Sequence, residues 1–360
     1  MIHIYSPVRE IRGFTLVELM VAIAIGLFLS AVTGTIYVNS KNMFNYQDAM
    51  SRLQENARFA MERMSRDIRM AGFSTCGKLS GSIANKVNGG TSNWWFNLDT
   101  PIMGFDNISA PPLTLPSNSP SPIAGTDAFY VLGSNDSGVS VKNYRMSDAT
   151  FYTDPHSIQR GTILVVTDCH QTSVFQMSDP TNNNNQSTQI KHAVGASVYP
   201  GNCKNGLRAS CPSPDDYEFK PGASILQLYA NYYFIAPSET ANSGNSLWTC
   251  SLENQTCGNV ECAKVECAEL INSVENMQVE YGVDTDSDQS ANAYLDAGSV
   301  TNWANVLSVR INLLLATPPS AGNLSSTAQT YKFNSQTITA QDRRVRRTYS
   351  SVINMRNRTK

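Results

Sequence analysis

Residues 14–38 read FTLVELMVAIAIGLFLSAVTGTIYV, an apolar run whose only charge is Glu18. As an α-helix, a run of this length extends about 37 Å, enough to cross a hydrocarbon core of about 30 Å with some tilt. Before it stand residues 1–13, MIHIYSPVREIRG, which hold Arg9 and Arg12 and end in Gly13. Basic residues flanking an apolar span stay on the cytoplasmic side, so the leader is expected inside and the rest of the chain outside. A secretory signal peptide would show an apolar core of roughly 7–15 residues followed by a small-residue cleavage site. Here the run is longer, a carboxylate interrupts its start, and the glycine precedes it. A plain signal anchor fits the length but gives Glu18 no purpose.

An ionisable group inside an apolar span is costly, so it generally has a partner or a task. If the chain is cut after Gly13, Phe14 becomes a new N-terminus one helical turn from Glu18. The amine of a neighbouring subunit can then neutralise that carboxylate where water is scarce, and the pairing fixes the axial register of packed helices. The alternative is a Glu18 that snorkels to the interface. The stretch RGFTLVELMVAIAIG resembles the signal of type IV prepilins and pseudopilins. The resemblance implies that a prepilin peptidase cuts after Gly13 and N-methylates Phe14, and that Glu18 guides assembly. It also implies a single-pass precursor in a bacterial inner membrane, its head in the periplasm, which moves into a pilus at the cell surface.

No proline falls between residues 14 and 72, so nothing forces a break in the helix. Beyond residue 38 the composition turns polar, while Met50, Leu53, Ala57, Met61, Met64 and Ile68 recur at steps of three and four. That spacing draws one stripe on a helix, which is expected to pack on the chain's own downstream sheet, with Gly72 as the stop. Period two replaces it later. Met277, Val279, Tyr281 and Val283 alternate with polar residues, as do Leu307, Val309, Ile311, Leu313 and Leu315. Such alternation predicts antiparallel strands with one covered face. Residues 127–133, 161–168, 227–237 and 345–357 read as further strands. The proline-rich 109–122, the asparagines at 182–185 and the segment 200–221 read as loops. The expected organisation is a leader at 1–13, an apolar helix at 14–38, its amphipathic continuation at 39–72, and a head at 73–360. Strands following a helix in blocks make the fold class α+β: a long N-terminal helix packed on an antiparallel, β-rich globular head, the type IV pilin-like arrangement.

The eight cysteines, Cys76, Cys169, Cys203, Cys211, Cys250, Cys257, Cys262 and Cys267, are even in number and all follow the apolar run. That suits disulfides in an oxidising compartment. A local Cys203–Cys211 bridge is the preferred pairing, and Cys76 with Cys169 is a second guess. Zinc is the rival for the crowded 250–267 stretch, although it has no CxxC pair and no histidine. Asp284, Asp286 and Asp288 form a D-x-D-x-D run that can open a calcium loop. Gln289 stands where that loop needs its turning glycine and Leu295 where it needs a glutamate, so a solvated acidic turn is the preferred reading. Otherwise no cofactor is expected. Asp168, Cys169 and His170 are adjacent, and strand neighbours point to opposite faces, which rules out a relay. No hydrolase, metalloprotease or phosphate-loop motif occurs, so the chain is read as no enzyme. Its net charge of −2 gives no reason to expect nucleic acid.

Four later stretches, GTILVVTDCHQTSVFQM, LINSVENMQVEYGVDTDSD, WANVLSVRINLLLATP and DRRVRRTYSSVINMRN, resemble the PilW type of minor pilin. The cysteine-rich 250–267 departs from that pattern and reads as an insertion. The resemblance implies a structural protein that primes or caps a type IV pilus near its tip, with other minor and major pilins, the peptidase and an inner-membrane assembly platform as partners. A type II secretion pseudopilin is the rival within that class. An adhesin or carbohydrate-binding module is the rival outside it, with Trp94 and Trp95 as contact surface unless Trp94, Trp95 and Phe96 anchor the long loop instead.

Overall fold

The computed structural model describes residues 13, 15–73, 83–89, 93–179, 187–195, 197–257, 260–322, 324–325 and 327–358. The asparagine run at 182–185 lies outside them. The chain divides into two units, residues 1–51 and 52–360. One helix, α1 (Leu16–Arg69), begins in the first and ends in the second.

In the first unit every side chain from Leu16 to Val38 is exposed. The hydroxyls within this span are satisfied by the helix itself. Ser30 donates to Gly26 O at 2.8 Å, Thr33 to Leu29 O at 2.8 Å and Thr35 to Ala31 O at 3.0 Å. Such back-bonding hides polar groups where the surroundings offer none.

In the second unit α1 buries Leu53, Ala57, Ala60, Met64, Asp67 and Ile68. Met61 is only half-buried; Ala60 takes its place in the stripe. Spacings of three and four fit either residue, and the smaller one lets the helix lie closer. The helix stops where the last turn tightens: Ala71 N–H donates to Ile68 O at 3.1 Å, and Gly72 N–H turns away to Leu132 O at 2.9 Å. Gly72 has φ +65, and a Cβ there would stand 3.1 Å from Pro101. Glycine is therefore needed on two counts.

The head holds an eleven-stranded sheet, a four-stranded sheet and a separate hairpin. The large sheet comprises β1 (Ile83–Asn85), β2 (Ile102–Ile108), β3 (Thr126–Arg145), β4 (Thr150–His156), β5 (Ile163–Thr167), β6 (Thr172–Gln176), β7 (Ser187–Lys191), β8 (Val198–Tyr199), β9 (Ser224–Pro237), β10 (Asn245–Cys257) and β11 (Val260–Asn272). Its spine runs β1-β6-β5-β9-β10-β11-β8, with β3 also on β9. The smaller sheet, built from β12 (Val274–Val283), β13 (Ala293–Leu295), β14 (Val306–Ala316) and β17 (Arg346–Asn354), has the order β13-β12-β14-β17. Between its last two strands β15 (Thr330–Phe333) and β16 (Gln336–Thr339) form the hairpin. Helix first, strands after: the fold is α+β, as expected.

Strand β9 carries the head because both its faces are covered. Tyr229, Asn231 and Tyr233 turn toward α1, while Ala230, Tyr232 and Phe234 enter an apolar cluster with Trp94, Tyr130 and Trp248. A second cluster gathers Tyr144, Phe151, Phe175 and Phe219. Asp127 joins the two sheets. Its carboxylate accepts from Asn107 N at 3.0 Å and, across the sheets, from Val279 N at 2.9 Å.

Two expectations need correction. The 250–267 stretch is not a separate insertion: it is the β10–β11 hairpin, bonded through β10 to β9 at the middle of the large sheet. Ala263 and Val265 enter the main core, while Lys264 and Glu266 face solvent. Asp168, Cys169 and His170 lie in the turn between β5 and β6 rather than in a strand. The Asp168 carboxylate closes that turn, one oxygen accepting from His170 N and Gln171 N and the other from Tyr217 Oη.

Candidate assembly site

The residues that the sequence marks for processing and assembly meet at the start of α1. Gly13 is exposed, and Phe14 lies outside the described residues. Thr15 stands immediately before the helix and Glu18 in its first turn. Thr15 donates both its backbone N–H and its hydroxyl to Glu18 Oε2, each at 2.9 Å, and Glu18 N–H donates back to Thr15 Oγ1 at 3.2 Å. This is a capping box, in which residues three apart satisfy each other's unpaired helix-end donors. The carboxylate also lies at the positive end of the helix dipole. The pattern T-x-x-E stands in the sequence at residues 15–18.

A second carboxylate, Asp67, is buried where α1 meets the head and is not singled out by the sequence. Asp67 is 6% exposed and accepts from Tyr233 Oη at 2.5 Å and Asn231 Nδ2 at 2.7 Å. Arg63, one turn earlier on the helix, stands 3.7 Å away. Burial pushes the Tyr233 hydroxyl well above its usual range, and the neighbouring carboxylate adds to the effect. The phenol therefore stays a donor. The signal was a charge three residues after Met64, inside the apolar stripe.

Cys203 and Cys211 form a disulfide across a Cα separation of 6.1 Å, and Cys250 and Cys267 form another at directly paired positions of β10 and β11. Cys169 and Cys262 are oxidised as well. Cys76 and the side chain of Cys257 lie outside the described residues, and the Cys76–Cys169 guess lies there with them. Oxidised Cys250, Cys262 and Cys267 have no thiolate to offer zinc.

Asp284, Asp286 and Asp288 bring one carboxylate oxygen each within 4.8 Å of the others. Asp284 accepts from Ser287 N at 2.7 Å and Gln289 N at 3.0 Å, so its two oxygens already brace the turn. Asp286 and Asp288 are exposed.

Trp94 and Phe96 are buried, on a short 3-10 turn, and Trp95 is half-buried. Trp94 packs on Tyr130 and Tyr232, with ring centroids 5.3 and 5.9 Å away. The aromatic trio therefore anchors the loop, and a sugar-binding face led by Trp94 is overturned.

Residues 232–357 match the family described as Type IV Pilus-assembly protein W, and residues 9–34 match the Prokaryotic N-terminal methylation motif. Over 97 residues the chain is 32% identical to the Pilin-like protein PilA3 of Thermus thermophilus, an alignment covering 27% of this chain and 37% of that protein. The chain thus spans well under half the length of that curated relative. No solved structure matches. The matched C-terminal region runs from β9 to beyond β17 and takes in the 250–267 hairpin. With a prepilin methylation motif at one end and a PilW-type region at the other, the chain is type IV pilin-like.

Proposed function

We propose that this chain is a minor pilin of a type IV pilus. In this reading a prepilin peptidase cuts after Gly13 and methylates the amine of Phe14. The precursor waits in the inner membrane, leader inside and head in the periplasm, until an assembly platform lifts it among other minor and major pilins. It then helps to prime the filament at or near its tip. The observation that carries the reading is the apolar stretch of α1, exposed from Leu16 to Val38, in which the single carboxylate, Glu18, stands in the first turn. Bilayer first and neighbouring helices later can cover such a surface. The size of the head supports a tip position, because a repeating shaft leaves little room for a domain of this bulk. No cofactor is needed for this role.

Deletion of the gene tests it. Surface pili are expected to be lost while type II secretion continues, and the wild-type gene is expected to restore them where Glu18→Val does not. Normal piliation in the deletion strain would contradict the proposal. A secretion defect with intact pili would favour the pseudopilin.

A further inference from the structure

Strand β17 is one edge of the four-stranded sheet, paired with β14 along its whole length with no register shift. Its backbone groups alternate in direction. Met355 donates its N–H to Leu307 O and Val345 O accepts from Thr317 N, so odd-numbered residues turn toward β14. Arg346 turns the other way, and there the Gln329 side chain bonds both of its groups. Arg346 N–H donates to Oε1 at 2.7 Å, and Arg346 O accepts from Nε2 at 2.9 Å. Gln329 thus does for one residue what a neighbouring strand would do for several. The two-residue repeat sends the N–H and C=O of Thr348, Ser350, Val352 and Asn354 outward as well, and all four residues are exposed. Among the described residues no strand or side chain bonds those groups.

Folded proteins commonly blunt a sheet edge with a charge, a proline or a bulge. Residues 348–354, TYSSVIN, have none of these. Val352 is 50% exposed on this strand. The charges lie at the two ends, and at the first of them Glu275 and Asp342 already pair with Arg344 and Arg346. Arg343 and Arg347 are exposed before the stretch and Arg356 after it, and no acidic residue follows Asp342 in the chain. Beyond the second end, where Arg356 N–H bonds Arg69 O, lies a groove of about 740 Å³. Phe59, Arg63, Arg66, Arg69 and Arg356 line it, with Glu62 as its one carboxylate.

We propose that β17 is a docking edge for an extended, acidic segment of a different protein chain, added to the sheet as a further strand. Its main chain bonds Thr348, Ser350, Val352 and Asn354, and its acidic ends meet Arg347 and the arginine groove. Charge argues against a second copy as the occupant. The same edge of a second copy would bring its own exposed Arg343, Arg347 and Arg356, and of acids only Asp342, already paired with Arg344 and Arg346. The proposal goes beyond the pilus reading and does not rest on it.

The test uses the full chain in detergent micelles and a short synthetic peptide that alternates valine and threonine between pairs of aspartates. One control replaces the aspartates by lysines; another carries N-methyl groups on alternate amides. Hydrogen exchange at Thr348, Ser350, Val352 and Asn354 is expected to slow about tenfold or more with the acidic peptide and to stay unchanged with either control. Ser350→Pro, which removes an outward donor only, should abolish the protection with the unfolding transition preserved. Should that variant fail to fold, Arg347→Glu with Arg356→Glu decides, because the preference must then pass to the lysine peptide. No slowing with the acidic peptide, or equal slowing with the methylated one, overturns the proposal. Protection that appears without peptide as the protein dimerises overturns it in favour of a second copy.

Discussion

The carboxylate of Asp67 on α1 accepts a hydrogen bond of 2.5 Å from the hydroxyl of Tyr233 on β9. An otherwise apolar helix face thus carries one acid, and the sheet beneath supplies its donors. The bond fixes the helix both along and around its axis, which apolar contacts alone leave free to slide.

Asp67→Ala is expected to destabilise the head by roughly 1–3 kcal/mol, because it leaves Tyr233 and Asn231 as buried donors without an acceptor. Denaturant unfolding of the full chain in micelles measures this. Pairing the change with Tyr233→Phe should cost less than the sum of the two single variants.

Thr15→Val removes the two hydroxyl bonds of the capping box at the start of α1 and keeps the backbone N–H bond to Glu18. Amide exchange at residues 15–18 should become about fivefold faster, with the remainder of the helix unchanged. Unchanged exchange at those residues would show that the Thr15–Glu18 bonds do not hold the helix end.

Two buried groups give the head opposite responses to acid. Burial pushes Asp127 up to about 6, an effect its two backbone hydrogen bonds only partly offset. A raised folded value means stability that is present below about pH 4 and lost as pH rises through 6. Burial holds His192 down at about 3, in a box with Tyr144, Phe151 and Phe175. Its contribution is present above the usual histidine range near pH 6.5 and lost as pH falls toward 3. Between pH 6 and 4 the two oppose each other. Asp127→Asn should therefore lose stability relative to wild type on going from pH 6 to 4, by about 1.4 kcal/mol per pH unit. Parallel pH profiles for the two proteins would contradict this.

Trp94→Ala is expected to lower stability by about 3–5 kcal/mol, as loss of a large buried aromatic does. Thermal melts monitored by near-ultraviolet circular dichroism report it. A small change there would return Trp94 to the surface and reopen the adhesin reading.

Much of the architecture was legible where burial is one-sided. At 277–283 and 307–313 one face is fully buried and the other, with Gln278, Glu280, Arg310 and Asn312, only half-buried, so period two stands in the residue types. In β9 both faces are covered, and an unbroken run such as NYYFIA shows that it is buried without showing by what. Strand β2 was hidden, because IMGFDNI contains a glycine, an aspartate and an asparagine whose places are set by tertiary contacts. The β10–β11 hairpin was disguised by its cysteines. Ala263, Val265 and Cys267 alternate with Lys264, Glu266 and Ala268, but the crowded cysteines fit metal chemistry as well as a strand. At the candidate site the sequence singles out Gly13, Phe14 and Glu18 for proposed roles, while the local partner of Glu18 shows only in the bonds of Thr15. Asp67 escaped because charges near a helix stripe are ordinarily counted as solvated.

The central claim is that the chain is cut after Gly13 to expose an amine that pairs with Glu18. Mass spectrometry of the mature N-terminus, on protein taken from its native membrane or from sheared filaments, tests it most directly. The expected result is a chain that begins at N-methylated Phe14. A mature chain that keeps residues 1–13, or begins anywhere else, would contradict it.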